Sequence, residues 1–237
     1  KENNKEFRLS NLILKLENFK ELKRIRFTTS HPKDMTQDLI NVYKKSKKLM
    51  PLVHLPVQSG SNRILSLMNR KHTIEDYLKI YENLKKINSN IEFSSDFIIG
   101  YPGETEKDFK DTVKLIKKIK FSNSYSFIFS PRPGTVAANL SLVNKNKSQK
   151  RLEIVQKELF KHQFNKNKLL EKKIVNVLVE NLMKDKLKLF GRTEYMTPVI
   201  FDGNPESIGD IVQVEIKESS RTSLFGKIVK NYNKKVA

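Results

Sequence analysis

The sequence predicts an α/β fold: an open or truncated parallel (β/α) barrel of about four strands, followed by a small antiparallel OB-like β-barrel. Residues 9–135 alternate helical and strand patterns in the order α-β-α-β-α-β-α-β, which requires a parallel sheet with right-handed crossovers. A complete eight-stranded barrel needs about 250 residues, so this segment is too short to close. After residue 171 the hydrophobic period changes to two, which is typical of short antiparallel strands.

Length and composition favour a globular protein. The 237 residues have room for one α/β domain and a small module, with 38% hydrophobic and 30% charged residues. No apolar run approaches the roughly 18 to 20 residues that span a bilayer, and the N-terminus has no signal-peptide pattern. We therefore expect a cytoplasmic protein. Because the sequence begins with Lys1 rather than methionine, we interpret it as a fragment or a processed product.

The charge balance is strongly basic, with a formal net charge of +20. An excess of this size is typical of proteins that bind polyanions, nucleic acids above all. The alternative is compositional, because an AT-rich genome enriches Lys, Asn and Ile in any protein. Cys is absent, so the chain holds neither a disulfide nor a thiolate metal site.

Hydrophobic spacing assigns the elements of the first part of the chain. The first helix is expected to turn Leu12, Leu16, Phe19 and Leu22 inward. Helices are predicted over 9–23, 36–48, 73–87 and 105–120, with a short helix around 64–68. Strands are predicted over 24–30, 52–57, 93–99 and 122–130.

The turn Gly100-Tyr101-Pro102-Gly103 joins the third predicted strand to its helix. Its two glycines are free to take φ > 0, and the acidic residues that follow suit the positive end of the helix dipole. In α/β folds, ligands bind just beyond the carboxyl end of a strand, so this turn is a candidate binding point. An ordinary tight turn between strand and helix is the alternative. We interpret Glu104 as a first-turn helix charge rather than a catalytic base.

A long basic helix over 148–170 marks the predicted domain boundary. It separates an α/β domain over 1–147 from a β-barrel over 171–237. The five strands of that barrel are predicted at 173–180, 188–193, 197–201, 211–216 and 224–229.

Five phrases in matching order resemble the radical S-adenosylmethionine (SAM) tRNA methylthiotransferases. The strand exits carry four of them, and Phe190-Gly191-Arg192-Thr193-Glu194 resembles the TRAM domain of that family. The phrase Ser-Tyr-Ser-Phe-Ile-Phe-Ser, followed by Arg-Pro-Gly-Thr, favours the MiaB-type branch, which makes 2-methylthio-N(6)-dimethylallyladenosine. The four strand-exit phrases lie at 26–32, 54–61, 94–105 and 124–135.

The resemblance implies a reaction in which a 4Fe-4S cluster reduces SAM and a methylthio group is installed on C2 of an isopentenylated adenosine beside the anticodon. It also implies a CxxxCxxC loop and three further cysteines, because thiolates hold such clusters. This chain has none, so we interpret it as the C-terminal half of such an enzyme, inactive alone. The expected partners are tRNA through its anticodon stem-loop, SAM, and a separate N-terminal half that carries the iron-sulfur sites.

The resemblance also implies contacts to SAM. Gln58 and Ser59 would face its ribose or methionine end, with loop capping as the alternative. Asp96, Ile98 and Gly100 share one face by alternation and would contact the adenine, although Asp96 is alternatively a structural carboxylate.

The remaining candidate side chains have plainer alternative roles. Arg132 would bind a SAM carboxylate or an RNA phosphate, with a surface ion pair as the alternative. His31 and His54 lack a companion ligand at metal spacing, so both are interpreted as structural. Phe190 and Tyr195 fit base stacking or, with better support, core packing. The predicted RNA contacts, for which a solvated basic face is the alternative, are Lys188, Arg192, Arg221 and Lys227.

Two other functions remain open at the level of the sequence. One is a non-catalytic tRNA-binding remnant that uses the basic barrel and helix. The other is an unrelated α/β-barrel metabolic enzyme, which the TRAM-like tail and the absence of cysteine disfavour.

Overall fold

A computed structural model describes residues 7–28, 31–183 and 188–230. The chain divides into two compact units, 1–158 and 159–237. Each unit has its own hydrophobic core and is described separately below.

In its described residues, the first unit contains five complete α-helices and four short strands. A sixth helix, α6 (Lys145–Lys168), begins in this unit and ends in the second. The helices are α1 (Leu9–Leu16), α2 (Gln37–Lys45), α3 (Asn62–Leu67), α4 (Ile74–Ile87) and α5 (Glu106–Ile119). The strands are β1 (Leu52–His54), β2 (Glu92–Ser94), β3 (Asp96–Ile99) and β4 (Tyr125–Ile128).

Parallel pairing runs through all four strands of the first unit. β1 pairs with β2, and β4 pairs with β3. β2 and β3 are one extended segment interrupted only at Ser95, and Gln58 continues the β1 edge through a parallel bridge to Phe97. The predicted parallel pairing is therefore present between these strands, which are shorter than the sequence indicated.

Capping sequences fix the starts of the two longest helices of this unit. Thr73 caps α4 and Thr105 caps α5, each in a capping box with the aspartate three residues later. In such a box the threonine hydroxyl accepts from a backbone N–H that has no partner within the helix, and the aspartate accepts from the cap N–H. Both helices match the predicted ranges to within one residue.

The first helix is shorter than predicted and buries a different face. It ends at Leu16, where the prediction extended it to residue 23. Ile13 is buried, whereas Leu12 and Phe19, which were expected to point inward, are exposed. The physical reason is tertiary: the Glu17 carboxylate accepts hydrogen bonds from the Ser46 hydroxyl and the Lys47 N–H, which draw the chain away from the helix axis.

The first predicted strand, over 24–30, is wrong in its described part. Residues 24–28 contribute a single parallel bridge, between Ile25 and Leu49. The Ile25 N–H donates to the Lys48 carbonyl, and the Met50 N–H donates to the Ile25 carbonyl. Thr29 and Ser30 lie outside the described residues.

The second unit is a closed five-stranded barrel in the order β5-β6-β7-β9-β8. The five predicted strands are all present. One pairing differs from the prediction, because β7 and β9 are parallel rather than antiparallel. The strands are β5 (Ile174–Leu182), β6 (Leu189–Thr193), β7 (Pro198–Asp202), β8 (Ile211–Ser219) and β9 (Leu224–Lys230).

Alternate residues of these strands fill the barrel, as period-two patterning requires. Gly191 of β6 lies where a Cβ would come within 2.3 Å of the Leu178 carbonyl oxygen, so the barrel closes around a residue without a side chain. The buried core consists of Val177, Val179, Leu189, Val199, Phe201, Val212, Val214, Ile216 and Leu224.

One histidine of the first unit is buried without hydrogen-bond partners. His72 is 7% exposed, and neither of its ring nitrogens has a hydrogen-bond partner. Its ring packs edge-on against His31, with 5.0 Å between centroids. Burial, reinforced by the charge of Arg70 and by His31, lowers the pKa of His72 to about 4.

We expect the stability of this unit to fall as the pH drops from about 6.5 to about 4. The unfolded chain binds a proton at His72 near pH 6.5, whereas the folded chain resists protonation until about pH 4, so acid favours unfolding by up to about 3 kcal/mol. His72→Phe keeps a ring against His31 and should flatten the pH dependence of the unfolding free energy, measured by urea titration between pH 4 and 7. Parallel pH profiles for the variant and the parent chain would contradict this assignment.

Candidate functional site

One face of the parallel sheet is partly open, and it carries polar and aromatic side chains. Phe97 and Ile99 of β3 are fully buried on the opposite face. Asp96 and Ile98 alternate with them and are only partly buried. The strand register places Asp96 beside Tyr125 and Ile98 beside Phe127, so side chains from β3 and β4 share this face. We call this set the open face.

His54, at the carboxyl end of β1, joins the open face. Its Nδ1 lies 2.8 Å from the Ser94 hydroxyl, and its Nε2 lies 3.6 Å from the Asp96 carboxylate. The side chains of His54 and Asp96 are 25% and 30% exposed. The carboxylate beside this imidazole is placed to accept a hydrogen bond from a polar ligand on this face.

Gln58 lies next to the same face in a strained backbone conformation. Its φ is +72°, a left-handed value that costs a residue with a Cβ about 1 kcal/mol or more. The conformation is fixed by two backbone hydrogen bonds of 2.9 Å, from the Gln58 N–H to the Asp96 carbonyl and from the Ile98 N–H to the Gln58 carbonyl. Strain held in place by the surrounding structure is common at ligand sites.

Ser59 points away from the open face. It is fully buried, its hydroxyl lies 3.4 Å from that of Thr112 in α5, and it accepts a hydrogen bond from the Ser61 N–H. The structure therefore supports the loop-capping alternative for Ser59, because its hydroxyl bonds to the helix and to its own loop.

The same loop is tied to α5 through a shared carboxylate. Asp108 accepts hydrogen bonds from Ser61, Arg63 and Thr105. Although burial alone raises the pKa of Asp108, these three donors hold it below its ordinary value. The loop from Gln58 to Ser61 is therefore anchored from the helix side, which leaves the strand side for ligands.

Gly100 is required by a neighbouring helix. A Cβ at this position would lie 2.3 Å from the hydroxyl oxygen of Ser148 in α6, and the residue has φ +72°. This close approach accounts for the glycine without a cofactor, which is a physical reason that the sequence did not reveal.

A buried ion pair holds the turn that follows Gly100. The Glu104 carboxylate accepts from the Gly100 N–H at 3.1 Å and from Arg151 Nη1 of α6 at 2.7 Å. Arg151 is 3% exposed, and its Nη2 donates to Glu106 at 3.0 Å. Glu104 is therefore a buried structural carboxylate. The prediction of a first-turn helix charge is wrong in its position, because Glu104 precedes the cap residue Thr105 and is buried against Arg151 of α6.

Arg132 lies on the exposed loop beyond β4.

The open face was only partly predicted from the sequence. Asp96 and Ile98 were identified, but His54 was interpreted as structural, and Tyr125 and Phe127 were given no role. The available signal was positional: His54 ends a strand, and the two aromatic residues alternate with serines in a strand whose partner carries Asp96.

The four predicted RNA-binding side chains lie on the barrel, toward two different ends of its strands. Lys188 and Lys227 are exposed and lie near the end of β7 at Asp202, by the strand register. Arg192 and Arg221 lie toward the other end. Arg192 pairs with Glu180 and covers the ring of Phe190.

Phe190 and Arg221 lie in surroundings that the sequence did not predict. Phe190 faces outward, because Leu189 and Gly191 on either side of it are buried, so the core-packing interpretation is wrong. The guanidinium of Arg221 lies 4.2 Å from the centroid of the Phe160 ring. The ring therefore covers one face of the guanidinium, although the residue as a whole is exposed.

The described residues offer no set of ligands for a metal ion. The sequence contains no cysteine, and no group of three or more His, Asp or Glu side chains in the described parts of the chain is arranged to hold a metal ion. Within residues 7–28, 31–183 and 188–230, no helix is long and apolar enough to cross a membrane.

Two family models match the chain. The model of the radical SAM superfamily matches residues 3–116, and the model of the TRAM domain matches residues 168–229. These matches confirm the expected order of the two domains along the chain.

Curated relatives give a more specific likeness. The chain is 71% identical over 236 residues to the tRNA-2-methylthio-N(6)-dimethylallyladenosine synthase of Pelagibacter ubique, covering 100% of this chain and 53% of that protein. It is 44% identical over 221 residues to the enzyme of the same name from Wolbachia pipientis wMel, covering 92% of this chain and 50% of the relative. The chain thus spans about half the length of the curated relatives it matches.

A solved structure is more distant. Coproporphyrinogen III oxidase from Escherichia coli, a radical SAM enzyme, superposes with a TM-score of 0.48 and 12% identity, covering 83% of this chain and 49% of that chain. A likeness of this degree carries no argument about the site.

Removing Arg151 should destabilise the first unit strongly. Arg151→Ala leaves the Glu104 carboxylate buried without its partner, which costs about 3–5 kcal/mol. The double variant Glu104→Leu/Arg151→Met should lose less, because it removes both charges and keeps apolar volume. Urea unfolding measures both variants.

The matched control is Lys117→Ala, which removes an exposed partner of Glu158 and should cost no more than about 1 kcal/mol. Equal losses for Arg151→Ala and Lys117→Ala would contradict the role of the buried pair.

Proposed function

We propose that this chain belongs to the radical SAM tRNA methylthiotransferase family and supplies the SAM-facing and RNA-facing parts of an enzyme that methylthiolates C2 of N(6)-isopentenyladenosine next to the anticodon. The observation that carries this proposal is the 71% identity to a tRNA-2-methylthio-N(6)-dimethylallyladenosine synthase over 236 residues. The same identity favours this proposal over the unrelated metabolic enzyme.

The chain does not fit an iron-sulfur cluster. Such clusters are held by cysteine thiolates, and the sequence contains none. We propose that the cluster ligands come from polypeptide outside this sequence, either in the same protein or in a separate N-terminal half. This chain alone is then expected to be inactive in SAM cleavage.

The residues of the open face do fit SAM. An adenosine and a methionine present amine, hydroxyl and carboxylate groups, and the chain offers the Asp96 carboxylate, the Gln58 amide and the apolar Ile98 beside them. Gly100 would approach the adenine through its backbone, and Arg132 would pair with the SAM carboxylate or with an RNA phosphate. Bound SAM would be the source of the radical in this family, while these side chains orient it and exclude water.

We propose that the domain organisation follows these roles. Residues 1–147 form a sector of a parallel (β/α) barrel, 148–170 a linking helix, and 171–237 the RNA-binding barrel. The parallel pairing of β1 to β2 and β3 to β4 supports the first assignment. The closed five-stranded barrel and the TRAM match support the last.

The barrel is the proposed site for tRNA. Lys188 and Lys227 are exposed cations at one end of its strands, and Arg221 is an exposed cation at the other. Cations of this kind neutralise phosphates and release counterions, which makes binding strongly dependent on salt.

We expect the chain to bind an anticodon stem-loop RNA with an affinity that falls steeply with salt. Lys188→Glu/Lys227→Glu should weaken binding and reduce the slope of log K against log salt by about one for each lysine lost. Fluorescence anisotropy at several salt concentrations measures both quantities.

The control for that experiment is Lys44→Glu/Lys45→Glu, which makes the same change in net charge on exposed positions of α2. If both double variants weaken binding equally, the RNA is attracted by diffuse charge and the barrel is not its site.

We expect the purified chain to bind no stoichiometric iron after anaerobic reconstitution with iron and sulfide, and to form no 5′-deoxyadenosine from SAM. The full-length Pelagibacter ubique relative, treated in parallel, is the positive control. A redox-active cluster in this chain alone would overturn the proposed division of ligands.

A further inference from the structure

We propose that Tyr125 and Phe127 form a clamp that holds an unpaired purine base of an RNA between their rings, next to the proposed SAM contact at Asp96. The proposal rests on the proposed function, because it names the part of the open face that the RNA enters. It goes beyond that function by assigning a binding role to two residues of β4.

The ring geometry fits one inserted base. The Tyr125 and Phe127 rings are stacked with an interplanar angle of 13°, and their centroids are 6.5 Å apart. Alternate residues of a strand are about 6.6 Å apart along its axis, so this separation runs along β4. Stacked bases are spaced by about 3.4 Å, and a planar base between two rings therefore needs about 6.8 Å.

The clamp is accessible from solvent. The side chains of Tyr125 and Phe127 are 61% and 56% exposed, although Phe97 on the neighbouring strand is fully buried. β4 pairs only with β3 in the described sheet, so one edge of the strand is open. Exposed aromatic pairs on a sheet that also carries polar groups are typical of base-stacking surfaces.

The polar groups beside the clamp favour a nucleobase over an apolar protein segment. Asp96 lies next to Tyr125 in the register and keeps 30% of its side chain exposed, held within 3.6 Å of His54 Nε2. An apolar protein segment on this face would desolvate the Asp96 carboxylate without offering it a donor, whereas a nucleobase carries polar edges. Arg132, on the exposed loop that follows the same strand, suits the adjoining phosphate.

The test uses an anticodon stem-loop RNA with 2-aminopurine at one unpaired loop position. Stacking between the two rings should quench 2-aminopurine fluorescence on binding. Tyr125→Ala and Phe127→Ala should each raise the Kd roughly 5- to 150-fold and abolish the quenching. Tyr125→Phe and Phe127→Tyr keep the rings and should retain both.

The matched control is Phe19→Ala, which removes another exposed ring of the same unit and should change neither quantity. Lys188→Glu/Lys227→Glu should weaken binding but leave full quenching at saturation, which separates the clamp from the electrostatic contacts. Each variant is also titrated with S-adenosylhomocysteine, whose affinity should be unchanged by the alanine substitutions.

The outcomes distinguish the two proposals. RNA binding without any dependence on the two rings overturns the clamp and leaves the proposed function standing. Absence of RNA binding overturns both. A loss of S-adenosylhomocysteine affinity with unchanged RNA binding overturns the assignment of the clamp to RNA, because the rings would then hold the adenine of the cofactor.

Discussion

The segment from Glu92 to Ile99 is the constraint on which the first unit depends. It is paired along both edges, by β1 and the Gln58 bridge on one side and by β4 on the other. Because side chains alternate across a strand, burial of Phe97 and Ile99 forces Asp96 and Ile98 to the opposite face. A shift of one residue would exchange a buried phenylalanine for a carboxylate, so the register is strongly fixed. The open face is thus a consequence of packing on the other side of the sheet.

The loops that follow the strands are held in place by the helices packed against them. Glu104 and Arg151 tie the turn after β3 to α6, while Asp108 and Thr112 tie the loop after β1 to α5. A buried ion pair of this kind contributes little net stability compared with an apolar pair of the same volume, but its loss is costly. Its effect is therefore to specify one position for the turn. Rigid positioning of loops by helices allows the other face to be reserved for ligands.

The proposed radical chemistry needs cluster ligands that this chain does not supply. The absence of cysteine is a property of the sequence, and no alternative cluster of metal ligands replaces it in the described residues. The open face carries a carboxylate, an imidazole and two stacked rings, which suit planar and polar nucleoside groups. The barrel carries exposed cations. Both surfaces suit the proposed contacts to SAM and to tRNA.

The sequence by itself determined the type and order of most elements, because their signals are local. Thr73 and Thr105 begin their helices through capping boxes, and the five strands of the barrel follow from period-two patterning between turns. It also identified Asp96 and Ile98 as members of one face, since alternation alone decides that. Tertiary structure decided the rest. Helix α1 ended early because Glu17 bonds to residues 46 and 47, Gly100 is needed because Ser148 lies against it, and Ser59 turned to α5. These contacts join residues about 30 to 50 positions apart, and no local pattern carries information about such partners.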